Sequence, residues 1–503
     1  MSGVAAERVG IPVLPSARRD RAHWWTAGYG VVAGTILFLI AYRGLMDDAH
    51  ITLGYARNLA FHWHWGLTEF RTANTATSPL NVWLLAAATF VTRNPVLAVG
   101  VVLIASTAAT GWWSALIARW LHLSPWLLSG LVVSFLVVNP LFVSTVGMET
   151  YLGVAVLLGV GWASLSGRTA ATGVLCGLAV LCRPDLVVPA AALALGLRQK
   201  RGTGRVRVLG RVAVVAAAVA LPWHVFSWIT LGGFIPDTFA IKTAAGQFGP
   251  GETFLTGLYG MAQIWTRAFL LLFATVAAGL IALLAWIRLW SQGQLTAAGR
   301  AAIIFGLGGI AHFTAFALVG VPPYHWYYCP AVGLLIISAA ISLTAAAHLN
   351  WPRAGIAVVG AAALLIGTSA GLLLAAPVPW DKPIIFGNWA TAQQYAAAGR
   401  DLSRMIPRGE TVGGFGEIGV VSFYCDCDII DPFTDRSKAM DIIREREAKA
   451  GPIMGTLLAL NYANLDVPAP TRIDHQMEYS PGHGPGWPTN VPGRGVGHLW
   501  LSR

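Results

Sequence analysis

Two adjacent carboxylates, Asp47 and Asp48, follow the first long uncharged run, in Leu45-Met46-Asp47-Asp48-Ala49-His50-Ile51. A carboxylate at such a place can take a proton from an attacking hydroxyl. It can equally accept the unpaired N–H groups at a helix start. Ile51, Tyr55 and Leu59 recur at helical spacing, so Asp47 or Asp48 is predicted to open an amphipathic interfacial helix. Successive side chains on a helix point about 100° apart. One acid can therefore face a pocket while the other caps.

Three further sites hold ionisable groups at the rims of apolar runs: Glu149 in Val146-Gly147-Met148-Glu149-Thr150, Arg183-Pro184-Asp185, and His325 between Pro323 and Trp326. Charges near membrane depth are costly and mark function. Each also has a plainer reading: Glu149 as a cap, Arg183 with Asp185 as an ion pair, His325 as one member of an aromatic belt. Other chemistries lack their motifs. There is no GxxxxGK[ST] phosphate loop. His62-Trp63-His64 is a weak zinc pattern, and Cys425-Asp426-Cys427 is too short for a zinc knuckle. Those two thiols either bridge each other or pair elsewhere. No inner loop is large enough to form a soluble nucleotide-sugar domain.

The elements that carry these residues are membrane helices. Of 503 residues, 55% are hydrophobic and 11% charged, under half the usual charged share of about 25%. Mean hydropathy is +0.61. Disorder and a cytosolic enzyme are both excluded. Uncharged runs cover Trp24–Tyr42, Pro95–Ala118, Leu123–Gly147, Thr150–Gly167, Thr169–Cys182, Leu186–Leu197, Ala268–Ile287, Ala301–Val321, Tyr327–Ala347 and Ala354–Ala376, with Val212–Ile235 interrupted only by His224. The two runs around Arg183-Pro184-Asp185 read as a broken or hairpin pair. The net charge of +11 then follows the positive-inside rule rather than nucleic-acid binding. Arg18, Arg19 and Arg21 place the N-terminus in the cytoplasm. Arg119, Arg168, the cluster Arg198, Lys200, Arg201, Arg205, Arg207 and Arg211, then Arg288, Arg300 and Arg353, fall on inner loops. Eleven crossings result, with the C-terminus outside. Ser78–Thr92 is apolar but short, and reads as an interfacial or re-entrant helix at the outer face.

The fold class expected is an all-α polytopic membrane protein with a small C-terminal α+β domain outside. The division is 1–23 cytoplasmic, 24–376 transmembrane with an outer loop at 43–94, and 377–503 extracytoplasmic. In the tail, Asn388 caps a helix to about Met405, Thr411–Phe415 and Val420–Tyr424 read as strands, Arg436–Ala450 as a charged helix, and the last 40 residues as a loose end.

The early Asp-Asp, the long outer loop, the many spans and the outer tail resemble the GT-C glycosyltransferases. The closer resemblance is to actinobacterial terminal β-1,2-arabinofuranosyltransferases. It rests on Asp47-Asp48-Ala49-His50-Ile51-Thr52-Leu53-Gly54-Tyr55-Ala56-Arg57-Asn58-Leu59, Thr77-Ser78-Pro79-Leu80, Gly147-Met148-Glu149-Thr150, and the tail from Phe415-Gly416-Glu417-Ile418-Gly419 to Ile430-Asp431-Pro432-Phe433-Thr434-Asp435. The architecture covers roughly residues 24–440. The resemblance implies a polyprenyl-phosphate sugar donor, a cell-envelope glycan or glycolipid acceptor, and inversion at the anomeric carbon. Asp47 is then the first choice as general base and Asp48 the second. Arg183, Lys242 and His325 are candidates for the donor phosphate. Glu149, Asp185, Tyr324 and Trp326 are candidates for substrate contacts, with Tyr327 and Tyr328 in the same aromatic group. No cofactor is called for, and a divalent cation is left open. A lipid or glycan transporter, a GT-C hexosyltransferase and an inactive assembly subunit are the competing readings.

Overall fold

The computed structural model describes residues 21–198, 204–243, 253–348, 352–467, 469–491 and 495–502. Arg18, Arg19, Lys200 and Arg201 therefore lie outside the described residues. The chain opens with α1 (Ala22–Ala41), α2 (Asp47–His62), α3 (Pro79–Thr92), α4 (Pro95–Trp120), α5 (Pro125–Val138), α6 (Pro140–Val143), α7 (Thr150–Leu165), α8 (Thr169–Cys182) and α9 (Val187–Leu195). It continues with α10 (Arg205–Thr230), α11 (Thr238–Lys242), α12 (Phe254–Ile264), α13 (Thr266–Ser291), α14 (Ala297–Val319), α15 (Cys329–His348) and α16 (Pro352–Leu374). Among the described residues six helical segments are long and apolar enough to cross a membrane: α1, α4, α10, α13, α14 and His325–Ala347. The other apolar runs form shorter helices, except α16, which is 23 residues long.

Two sequence details explain the short ones. The run Leu123–Gly147 is not one helix, because Pro140 cannot continue α5. Asn139 stays extended there and its side chain accepts from Leu141 N at 3.0 Å, starting the one-turn α6. The second break is the expected pair. Arg183 is forced extended (φ −161°, ψ 134°) ahead of Pro184, and a 3-10 turn at Pro184–Leu186 leads into α9.

α4 runs antiparallel to α1. Gly111 faces Thr26, Gly30 and Gly34 face Thr107, and Gly100 faces Phe38. Small residues let the two backbones approach. Arg119 Nη1 lies 3.3 Å from His23 Nδ1 at one end of the pair. Residues 42–94 therefore leave and re-enter the bundle on one face. Arg119, Arg168, Arg198 and Arg205 sit at the opposite ends of the helices, where Arg198 N donates to Ser164 O and Arg205 Nη2 to Leu195 O.

The tail folds on the face that carries α2. It contains α17 (Ala392–Met405), β1 (Thr411–Gly413), α18 (Gly419–Cys425), β2 (Asp428–Ile430), α19 (Arg436–Lys449), α20 (Pro452–Asn461), β3 (His475–Pro481), β4 (Trp487–Val491) and β5 (Gly495–Ser502). The sheet order is β2-β1-β3-β5-β4, parallel for β2-β1-β3 and antiparallel beyond. Three sequence expectations are corrected here. The first helix starts after Thr391, which exchanges bonds with Gln394 in a capping box, and not after Asn388. Val420–Tyr424 is helical, because its first N–H groups are needed by a carboxylate on α2. The Gly/Pro-rich end is ordered as three strands, with Met477 and Leu499 buried between the sheet and α17. The charged helix α19 matches its expected span.

Tail and outer loop share one core. Tyr55, Trp65 and Leu67 pack in the same cluster as Tyr395, Leu402, Val412, Ile418 and Ile429. Arg71 reaches across to Asp428 (2.8 and 2.7 Å) and Asp435 (3.3 Å). Arg57 Nη1 donates to Phe423 O at 2.7 Å.

Candidate active site

A cavity of about 320 Å³ opens where α2, the loop after it, the α8–α9 break, α11, α14 and the turn before α15 meet. Asp48, Glu149, Arg183, Asp185, Lys242 and Trp326, six of the nine residues singled out from sequence, line it. The rest of its wall is largely apolar, including Ile51, Phe239, Phe316, Val319, Tyr327 and Phe433. The cavity thus sets two charged groups among a largely apolar wall, with Tyr327 over Arg183 and Phe433 near Lys242.

The charges form two groups. In the first, Arg183 Nη1 donates to Glu149 Oε1 at 3.2 Å and Arg183 Nε to Asp185 Oδ1 at 2.8 Å. His312 Nε2 lies 2.8 Å from Asp185 Oδ2. Glu149 precedes α7 but makes no side-chain cap, so its carboxyl serves Arg183. Burial pushes the Glu149 carboxyl up, against the pull of Arg183. Burial also acts to raise Asp185, but Arg183 and His312 outweigh it and hold this carboxyl below the usual range. In the second group, Lys242 Nζ donates to Asp48 Oδ1. The same ammonium lies 4.6 Å from the Tyr324 ring centroid and 4.8 Å from that of Trp326. Burial disfavours the charged lysine, yet Asp48 overrides it and raises the ammonium above its ordinary range.

Asp47 is turned away from the cavity. It is 5% exposed, and its two oxygens accept from Gly419 N (2.9 Å) and Val420 N (2.8 Å), the start of α18. The expected split between the two acids holds, but Asp47 caps a helix of the tail and not its own. Of the pair, Asp48 and not Asp47 lines the cavity. Burial, then Glu417 nearby, pushes the Asp47 carboxyl up to about 8. Glu417 itself accepts from Trp389 N at 2.9 Å and from the Tyr395 hydroxyl.

His325 and Tyr324 do not line the cavity either. His325 is buried against Trp326, and its Nε2 has no hydrogen-bond partner among the described residues. Tyr324 stacks on Trp326, with centroids 4.6 Å apart, and so backs the wall. Tyr328 is buried against Phe254 and donates to its carbonyl. Sequence reasoning missed His312, counted only as part of an apolar run. A lone ionisable group inside a span is the signal that marks it. Cys425 and Cys427 form a disulfide next to α18. Among the described residues, no three His, Cys, Asp or Glu gather into a metal-ligand group.

Solved structures share this overall fold. ArnT from Cupriavidus metallidurans, solved bound to undecaprenyl phosphate, superposes with a TM-score of 0.56 over 91% of this chain and 92% of its own, at 13% identity. The fold is GT-C-like. The apo form of that ArnT gives the same values. The Archaeoglobus fulgidus oligosaccharyltransferase in its apo form superposes with a TM-score of 0.52 over 92% of this chain and 70% of its own, at 12% identity. AglB from the same organism, in complex with an inhibitory peptide and a dolichol-phosphate, gives 0.52 over 91% and 69%. No family model matches the sequence, and no curated protein does.

Proposed function

We propose that the chain is a multi-pass membrane glycosyltransferase that moves a sugar from a polyprenyl-phosphate donor to a cell-envelope glycan or glycolipid at the outer face. The observation that carries this is the cavity itself, in which carboxylates and cations are set within a largely apolar wall. A prenyl phosphate needs both. The GT-C-like fold, shared with an ArnT bound to undecaprenyl phosphate and an AglB bound to a dolichol-phosphate, supports it. The eleven-crossing topology, the cytoplasmic N-terminus and the outer C-terminal domain belong to the same reading. The arginines on the face away from the tail support that orientation.

The chemistry assigned is an inverting displacement. The acceptor hydroxyl attacks the anomeric carbon, the bond from that carbon to the phosphate oxygen breaks, and the lipid phosphate leaves with the electron pair. Asp48 takes the hydroxyl proton. Lys242, caged by aromatic rings beside Asp48, is the group for the phosphate. A phosphate oxygen competes with Asp48 for the ammonium, so donor binding frees the carboxylate as it positions the sugar. Arg183, fixed by Glu149 and Asp185, adds positive charge deeper in the cavity. Trp326 and Tyr327 offer faces for a sugar. Asp47 acts through position, holding α18 against α2. Arabinofuranose is the sugar proposed, on the motif resemblance around Asp47-Asp48 and Gly147-Met148-Glu149-Thr150.

The test is purified protein with a panel of polyprenyl-phosphate sugars and an arabinan acceptor. Inverted product from the arabinofuranosyl donor is expected. Product from a hexosyl donor alone would replace the sugar. Lipid translocation with no transfer from any donor would overturn the enzyme reading.

A further inference from the structure

We propose that α20 is seated in the membrane: its outward face lies among the lipids of the leaflet on the tail's side and anchors the C-terminal domain there. The helix has two apolar faces where a soluble domain would show one. Leu458 is 4% exposed, packed in a cluster with Ala240 and Ile241 of α11, Met440 and Ile443 of α19, and Tyr462. That is the inward face. Ile453, Leu457 and Leu460 recur at i, i+4 and i+7 and are 82%, 56% and 58% exposed. Residues 450–465 carry no charge at all, directly after the charged α19. Three large apolar side chains on one open face call for a cover.

The place of α20 in the fold says what covers it. α10 is one of the span-capable helices, and Leu221, Val225, Phe226 and Ile229 along it are 42–63% exposed, the row expected to face lipid. Where that row ends, α20 is tied on. Trp228 Nε1 donates to Leu460 O at 3.0 Å, Ile235 N to Asn461 Oδ1 at 2.7 Å, and Asn461 Nδ2 to Ile235 O at 3.3 Å. The outward face of α20 therefore continues the lipid-facing belt of α10 at the level where the span ends. Ten residues of helix reach about 15 Å, half a bilayer core, so α20 lies on the membrane and does not cross it. This inference does not depend on the chemistry of the cavity.

Site-directed spin labels on the full-length protein in single-copy lipid nanodiscs test it. The native Cys176, Cys182 and Cys329 are buried and Cys425 is bridged to Cys427, so an added cysteine reports alone. Labels at Ile453→Cys and Leu457→Cys are expected to be relaxed by oxygen and shielded from a water-soluble nickel chelate. A label at Glu445→Cys on exposed α19 is expected to behave the opposite way. Equal access of the chelate to positions 453, 457 and 445 would overturn the proposal. Shielding that arises only in discs holding two copies would overturn it too, assigning the face to a second chain.

Discussion

Asp47 and Asp48 share a sequence context but differ in what surrounds their oxygens. Asp48 meets an ammonium at the cavity, and Asp47 meets two backbone N–H groups inside a core. Asp48→Asn is therefore expected to cut transfer by roughly 100-fold or more while the protein still inserts, the scale of losing a general base. Asp47→Asn is expected to cost mainly stability, and transfer measured on the folded fraction decides between the two. The raised Asp47 carboxyl also fixes a pH dependence. Its folded value of about 8 lies above the ordinary 3.8, so the folded state holds the proton more tightly. Stability from this group is full below about 4 and is lost as pH rises through 8. The melting temperature of the wild type is expected to fall relative to Asp47→Asn over that window, as thermal denaturation in detergent would show. Lys242→Met is expected to raise KM for the donor at least tenfold and to leave KM for the acceptor nearly unchanged. An effect confined to the acceptor would remove the phosphate role. At this scale the sequence showed which residue types were costly, but not which way each pointed. His325 and Asp47 carry the right chemistry, and only packing shows that neither faces the cavity.

Breaks matter as much as spans at the scale of elements. Proline and its preceding residue made the Arg183 break legible, because their backbone restriction is local. The Asn139-Pro140 break followed the same rule inside a run that looked continuous. Val420–Tyr424 was not legible. Its β-branched and aromatic residues suit a strand, but its helical N-terminus is fixed by Asp47, 372 residues earlier. The terminal strands were hidden by polar residues on their solvent face. Arg71 is the element-scale clasp, holding the outer loop to Asp428 and Asp435. Arg71→Met removes charge-assisted bonds worth about 1.5–3 kcal/mol. Amide exchange in residues 63–78 and 428–435 is expected to quicken by roughly 10- to 100-fold, with α1 and α4 unchanged. Uniform acceleration across the bundle would mean that the loop is not a separable unit.

For the molecule as a whole, the question is which side of the membrane the cavity faces. The antiparallel α1–α4 pair puts the outer loop and the tail packed on it at one face, with arginines at the far helix ends. In the proposed orientation the tail face is exoplasmic, since moving the cluster around Arg198, Arg205, Arg207 and Arg211 outward is costly. A lipid-linked donor presented outside requires this sidedness, and a cytosolic donor would require the reverse. Intact cells and a membrane-impermeant maleimide separate the two. Glu445→Cys, in the tail, is expected to react in intact cells. Gln292→Cys, on the exposed turn between α13 and α14, is expected to react only after permeabilisation. The opposite pattern would place the carboxylates in the cytoplasm and remove the exoplasmic carrier from the mechanism, even with the geometry of the cavity unchanged.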